Sequence, residues 1–242
     1  MNGGRYRGAG RGLFVAGTDT GVGKTRVSVL LLHAFNARGW RTAAMKPVAA
    51  GARRRGSAWH NEDVEQLRAA ASLRSPRVSV NPYCFAPPIA PHIAAAEAGV
   101  RIELPRIRAA YRDLARAADL VVVEGAGGLL VPIDGCRDTA DIALKLDLPV
   151  VLVVGLRLGC INHALLTVAA LRSRGLVLAG WVANSIVPRM ARREQNIAAL
   201  RARIPAPLLG LIPHQRRSDP RSLSKRLDID PLIRGISEGK LN

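Results

Sequence analysis

The segment Gly17-Thr18-Asp19-Thr20-Gly21-Val22-Gly23-Lys24-Thr25 constrains this chain more than any other. Before it lies a short apolar run, residues 13–16, which reads as a strand. After it Val27, Leu30, Leu31 and Ala34 recur at helical spacing, predicting a helix of about 13 residues that stops near Gly39. A small-residue turn between a strand and a helix N-terminus lets backbone N–H groups wrap an anion, and the helix dipole adds to the attraction. Lys24 is placed to reach the β- and γ-phosphates of a nucleotide, and the Thr25 hydroxyl to ligate Mg²⁺. The turn is one residue longer than the usual pattern: five residues, not four, separate Gly17 from Gly23-Lys24-Thr25.

The rest of the chain alternates strand and helix patterns, which predicts a P-loop NTPase-like α/β fold with a mostly parallel central sheet and helices on both faces. Residues 42–48, 120–123, 150–154, 178–183 and 208–212 read as further strands. Residues 61–73 and 103–118 read as helices, separated by a Pro-rich stretch at 81–91, and a helix carries Ile161, Leu165, Val168 and Ala169. Residues 1–11 are expected to be a flexible basic arm, residues 12–242 a single domain, and the basic stretch 215–226 a loose loop. With 242 residues, 48% of them hydrophobic, the chain can bury a sizeable core. The longest apolar run, residues 148–156, falls far short of the roughly 20 residues of a membrane span. The opening residues have no apolar signal-peptide core, and three cysteines without C-x-x-C spacing suggest neither a disulfide framework nor a zinc site. The expectation is a cytoplasmic protein with no membrane partner.

The charge is strongly positive, with 36 Lys+Arg against 18 Asp+Glu for a net +18. Of the basic residues 31 are Arg and 5 Lys, scattered and without aromatic interleaving, so a solvated basic surface accounts for them better than a nucleic-acid site.

In open α/β sheets, ligands sit beyond the carboxyl ends of the strands. The residues just past each strand are therefore the candidates. Glu124, closing four apolar residues and opening Gly125-Ala126-Gly127-Gly128, is placed to hold Mg²⁺. Asp63 either completes that shell or belongs to a helix N-cap at 61–63. Lys46, before Pro47, is either a solvated lysine or an ammonium that stabilises charge developing on a phosphate. Asn184-Ser185 suit turn chemistry or the edge of a purine, and Pro213-His214 come after the last strand.

These residues resemble one family closely, the dethiobiotin synthetases. The likeness runs from residue 12 to about 214 and is carried by the extended phosphate turn, Met45-Lys46-Pro47-Val48, Asn81-Pro82-Tyr83, Pro91-His92, residues 123–128, Leu158-Gly159-Cys160-Ile161-Asn162-His163 and Gly180-Trp181-Val182-Ala183-Asn184. The resemblance implies a Mg²⁺- and ATP-dependent cyclo-ligase of biotin biosynthesis. It would carboxylate 7,8-diaminononanoate with CO₂ to a carbamate, activate that as a carbamic-phosphoric anhydride, and close the ring. It implies that Gly21, Val22, Gly23, Lys24, Thr25 and Arg26 cradle ATP with Asp63, Glu124, Gly125, Ala126 and Gly127. It gives Mg²⁺ to Thr25, Asp63 and Glu124, and the base to Asn184, Ser185, Pro213, His214 and Gln215. It makes Lys46 catalytic. It places the diamine against Thr20, Lys24, Lys46, Ala50, Gly159, Cys160, Ile161 and Asn162, the last four reaching the site across a homodimer.

Three positions depart from the family pattern: Ala49-Ala50-Gly51 offers no hydroxyl, Gln215-Arg216-Arg217-Ser218 is basic where an acid is usual, and residue 196 is Asn rather than aromatic. Three readings compete. A partition-type regulatory ATPase would carry a second lysine where Asp19 stands, and a basic nucleic-acid-binding P-loop protein would show clustered charge. A glutamine-dependent cobyrinate-type amide synthase would need a glutaminase domain for which 242 residues leave no room.

Overall fold

Seven residues from Arg11 to Gly17 form strand β1, the strand on which the rest of the sheet is assembled. The structure is a computed structural model that describes residues 11–56, 58–214 and 219–239; the expected arm at 1–10 and Gln215, with the rest of 215–218, lie outside the described residues. In chain order the elements are β1, α1 (Lys24–Ala37), β2 (Thr42–Met45), β3 (Val48–Ala49), β4 (Arg53–Arg55), β5 (Ala58–His60), α2 (Glu62–Ala70), α3 (Arg77–Val80), β6 (Tyr83–Cys84) and α4 (Pro91–Glu97). Next come α5 (Leu104–Ala117), β7 (Leu120–Glu124), α6 (Thr139–Leu146), β8 (Val150–Leu156), α7 (Cys160–Ser173), β9 (Leu178–Ser185), α8 (Arg193–Arg201), β10 (Leu208–Ile212), α9 (Pro220–Ser224) and α10 (Asp230–Ser237).

Six strands make one sheet in the order β10-β9-β8-β1-β7-β2, every neighbouring pair parallel. Every residue of β7 and β8 is buried, as expected of a parallel sheet covered on both faces. The period-two alternation of strand side chains divides the core. Leu13, Val15, Val122, Val151 and Val153 face α1, α9 and α10. Phe14, Ala16, Val121, Val123, Leu152 and Val154 face α5, α6 and α7. Helix α5 supplies Ile107, Ala110, Tyr111 and Leu114 at offsets 0, 3, 4 and 7, the spacing of one helical face.

The structure corrects several expectations. The strand expected over 42–48 ends at Met45; Pro47 brings no N–H to a ladder, and the chain turns off the main sheet so that β3 pairs with β6. The main strand begins at Arg11, inside the expected arm, because Arg11 already pairs with Leu120. Part of the expected loop at 215–226 is helical: Asp219 accepts from the Arg221 and Ser222 amides, and Pro220 opens α9. Helices α3, α4, α6, α8 and α10 are additions to the elements read from periodicity.

Candidate active site

The strand register brings the separate strand ends to one edge. Gly17 lies beside Val153, Val15 beside Glu124, Gly155 beside Asn184, and Asn184 beside Ile212. Pro213 and His214 therefore leave the sheet next to Asn184 and Ser185.

In the phosphate turn the amides of Gly23, Lys24, Thr25 and Arg26 find no backbone acceptor among the described residues, and the first to do so is Val27, which bonds the Gly23 carbonyl at 3.0 Å. These are the orphan donors of a helix start, gathered where an anion can take them. Gly23 adopts φ +89°, and a Cβ there would lie 2.1 Å from Asn184 Nδ2, so only glycine fits. That amide donates to the Val22 carbonyl at 2.8 Å. Asn184 Oδ1 and Ser185 Oγ are buried without a hydrogen-bond partner. Thr20 stands over Gly127, its hydroxyl 3.4 Å from where a Cβ of Gly127 would be.

Lys24 Nζ donates to the Asp19 carbonyl at 3.1 Å. Burial is the main cause that lowers its pKa to about 8. Asp19 is in turn bonded to the Arg157 guanidinium at 2.6 Å, which offsets an anion inside a phosphate-binding turn.

Lys46 is buried, its Nζ 2.5 Å from Asp63 Oδ2 and 2.6 Å from Glu124 Oε1. Burial works against the charge, but Glu124 and Asp63 outweigh it and hold the lysine pKa above its ordinary value. For Asp63, burial pushes the pKa up while Lys46 pulls it down further, and the carboxyl ends below the usual range. The Thr25 hydroxyl donates to Glu124 Oε1 at 2.8 Å. The two roles open for Asp63 are separated here. Asn61 is the cap, accepting from the Val64 amide at 3.3 Å, which leaves Asp63 free to face Lys46. Asn61 also donates to the Ala50 carbonyl at 3.0 Å, so Ala50 is drawn to the same side. Lys46 is not a solvated lysine.

The donors at this point suit Mg²⁺. Thr25, Asp63 and Glu124 are all oxygen ligands, and Glu124 Oε2 is buried with no partner. Among the described residues no group of three or more His, Cys, Asp or Glu could hold a metal alone. Two carboxylates and a hydroxyl leave the remaining positions to water and nucleotide phosphates.

Gly159, Cys160, Ile161 and Asn162 open α7, and the Ile161 and Asn162 amides have no backbone acceptor among the described residues. Leu158 is 95% exposed, and nothing lies within 4 Å of a Cβ built on Gly159. Leu158 and Gly159 face open space, but the Cys160 side chain is buried in the core, so its thiol is not presented to a ligand as the expected contact would need. Asn196, on α8, spends its side chain on the Arg192 carbonyl at 2.8 Å.

Two contributors have no assigned role at the level of sequence. Asn81 donates to the carbonyls of Lys46, at 2.6 Å, and Tyr83, at 2.9 Å, fixing the backbone that carries the lysine. Arg157 is the other. The Lys46 partner of Asn81 lies 35 positions away and the Asp19 partner of Arg157 lies 138 away, so no local pattern marks those two pairings.

Residues 11–222 match a family described as an AAA domain. The ATP-dependent dethiobiotin synthetase BioD of Aromatoleum aromaticum is 55% identical over 217 residues, covering 90% of this chain and 96% of the relative. That of Nitrosospira multiformis is 53% identical over 222 residues, covering 92% and 96%. Among solved structures, the cell division ATPase MinD of Pyrococcus furiosus aligns with a TM-score of 0.54 at 15% identity, over 93% of this chain and 99% of that one. The MinC:MinD complex of Aquifex aeolicus gives 0.55 at 13%, over 94% and 96%. Those two likenesses establish a shared P-loop NTPase-like fold and no more. The identities of 53–55%, together with the shared fold and the assembled strand ends, place this chain in the ATP-dependent dethiobiotin synthetase family.

Proposed function

We propose that residues 12–242 act as one P-loop unit that makes dethiobiotin from 7,8-diaminononanoate, CO₂ and ATP. The observation that carries this reading is the buried Lys46 beside Asp63 and Glu124, facing a turn with four free amides. The free amides of the turn and Lys24 hold the triphosphate. Gly21 and Val22 shape the turn, Glu124, Gly125, Ala126 and Gly127 border it, and Asn184, Ser185, Pro213 and His214 take the base. Bound through Thr25, Asp63 and Glu124, Mg²⁺ supplies positive charge next to the phosphates. One amine of the diamine takes up CO₂ as a carbamate, whose oxygen attacks the γ-phosphorus and expels ADP as the bond to the bridging oxygen breaks; the second amine then displaces phosphate from the mixed anhydride and closes the ring. Lys46 stabilises charge on the reacting oxygens, and Thr20 and the Ala50 backbone help place the diamine. Such a reaction depends on positioning and charge stabilisation more than on a strong base.

The chain works as a homodimer whose sites are shared. Helix α7 has fourteen residues, of which Cys160, Ala164 and Leu171 are buried. Leu158 and Leu166, 95% and 61% exposed, leave apolar surface that a second copy would cover. The free amides at the start of α7 suit the substrate carboxylate, delivered across the interface. The enzyme is cytoplasmic and its partners are small molecules. Among the described helices none is long and apolar enough to cross a membrane. The deciding assay measures ADP release. It should require both the diamine and bicarbonate, and ATPase activity indifferent to the diamine would refute the reading.

A further inference from the structure

The ammonium of Lys46 rests on Asp63 Oδ2 and Glu124 Oε1, at 2.5 and 2.6 Å. The Thr25 hydroxyl bonds the same Glu124 oxygen at 2.8 Å. These are the oxygens that the proposed function gives to Mg²⁺, and two cations cannot share them at contact distance without strong repulsion. The charge is already balanced there: Lys24 and Lys46 against Asp63 and Glu124 sum to zero. A bare divalent cation would find the acidic pair neutralised, with little beyond the buried Glu124 Oε2 left to bind. A triphosphate changes both conditions, because it adds negative charge and gives an ammonium new oxygens to bond. The second condition matters, since a buried ammonium stripped of its partners is costly. Only the side chain of Lys46 is free to respond. Its N–H is bonded to the Val80 carbonyl at 2.8 Å and its own carbonyl to Asn81 at 2.6 Å.

We propose that Lys46 is a built-in counter-cation that holds the metal seat of the nucleotide-free protein, so that a divalent cation enters only with the triphosphate and its arrival releases the ammonium. The inference rests on the proposed roles of Thr25, Asp63 and Glu124. It adds an order of events to them: the lysine is restrained until nucleotide and metal are both present, which guards against premature chemistry.

The test is Mn²⁺ binding to the nucleotide-free protein, measured by electron paramagnetic resonance. The Lys46→Gln variant, which keeps a hydrogen-bond donor without the charge, should bind Mn²⁺ at least about tenfold more tightly than wild type. Lys46→Arg keeps a cation and should stay near wild type. Lys24→Gln removes the same charge from a lysine bonded to the Asp19 carbonyl instead, and should gain clearly less. No gain in Lys46→Gln, or an equal gain in Lys24→Gln, would overturn the proposal while leaving the metal site standing. ATP-dependent Mn²⁺ binding that ignores Glu124→Gln would remove the metal site itself, and the proposal with it. Nitrogen-15 lysine spectra of the wild type give a second reading that needs no variant to fold. The Lys46 ammonium signal should shift with Mg²⁺ plus a non-hydrolysable ATP analogue, and a comparable shift with Mg²⁺ alone would refute the idea.

Discussion

Individual side chains at this site act through charge held out of water. Lys46 is the clearest case: its ammonium is buried on Asp63 and Glu124, and the proposed function has it stabilise charge that develops in phosphoryl transfer. Lys46→Ala should therefore lose about 10²–10³ in kcat, the usual effect of removing one such group. Nucleotide binding should survive, because Lys24 and the turn amides are untouched; unchanged turnover would return Lys46 to a structural role. Glu124→Gln should keep the shape of the site and lower turnover strongly, and near-normal turnover at limiting Mg²⁺ would contradict the assignment. Lys24 makes a prediction about protons. Its pKa is lowered to about 8, chiefly by burial, in the ligand-free protein. Phosphate oxygens favour the charged form, so the complex holds more protons than the free protein near and above pH 8. ATP binding in that range should be accompanied by proton uptake, which calorimetry in buffers of differing ionisation enthalpy would measure. Proton release would show that the lysine does not face the phosphates. For the fold itself the sign is also set: a lysine with a depressed pKa leaves the unfolded chain binding more protons between about pH 8 and 10.5, so this group's contribution makes stability rise with pH there.

At the scale of elements, two helix starts share one backbone geometry in different settings. Helix α1 begins after Gly23 and helix α7 after Gly159, both glycines in the left-handed region, at φ +89° and +91°. The first is packed against Asn184, the second stands in the open. Gly23→Ala should displace Asn184 and weaken nucleotide binding as well as stability. A Cβ at Gly159 has no atom within 4 Å beyond its chain neighbours, so the cost of Gly159→Val is mainly backbone strain of roughly 1–3 kcal/mol and crowding of whatever binds there. The expected result in steady-state kinetics is a raised KM for the diamine with the KM for ATP spared; the reverse pattern would detach α7 from the substrate. Periodicity locates both helices because each carries regularly spaced apolar residues. It misses α3 and α4, which are short and flank the Pro-rich stretch on either side, and it prolongs β2 because apolar residues continue past Lys46 while the pairing partner changes.

For the whole molecule the question is whether two copies assemble as proposed. The apolar surface of α7 includes Leu166, 61% exposed, and Leu166→Glu should shift the protein toward monomers in sedimentation velocity. Shared sites predict complementation. Lys46→Ala and Gly159→Val, each nearly inactive alone, place both defects in one site of a mixed dimer and neither in the other. Random pairing makes about half the dimers mixed, so co-expression should recover about a quarter of wild-type activity. No recovery in co-purified mixed dimers would mean that each site is built within one subunit. The net charge of +18 stays outside these roles, since the pairs at Asp19, Asp63 and Glu124 use only Arg157 and Lys46.

The sequence alone determined the parallel α/β architecture and the phosphate turn, because both are written in neighbouring residues: a strand, a glycine-rich turn and a helix period within about 25 positions. It also supplied the candidates at the strand ends, since a parallel sheet sends all of them to one edge. Which candidates meet was decided by tertiary structure. Spacing left Lys46 and Asp63 each with two readings, and only the packing of α2 against the end of β2 joined them. Asn61 took the cap and released Asp63 to the lysine. Asn81 and Arg157 were legible only in three dimensions, where a buried carbonyl and an anion in the phosphate turn each needed a partner from far along the chain. Hydrogen bonds and ion pairs of that kind depend on distance in space, and a linear sequence does not contain it.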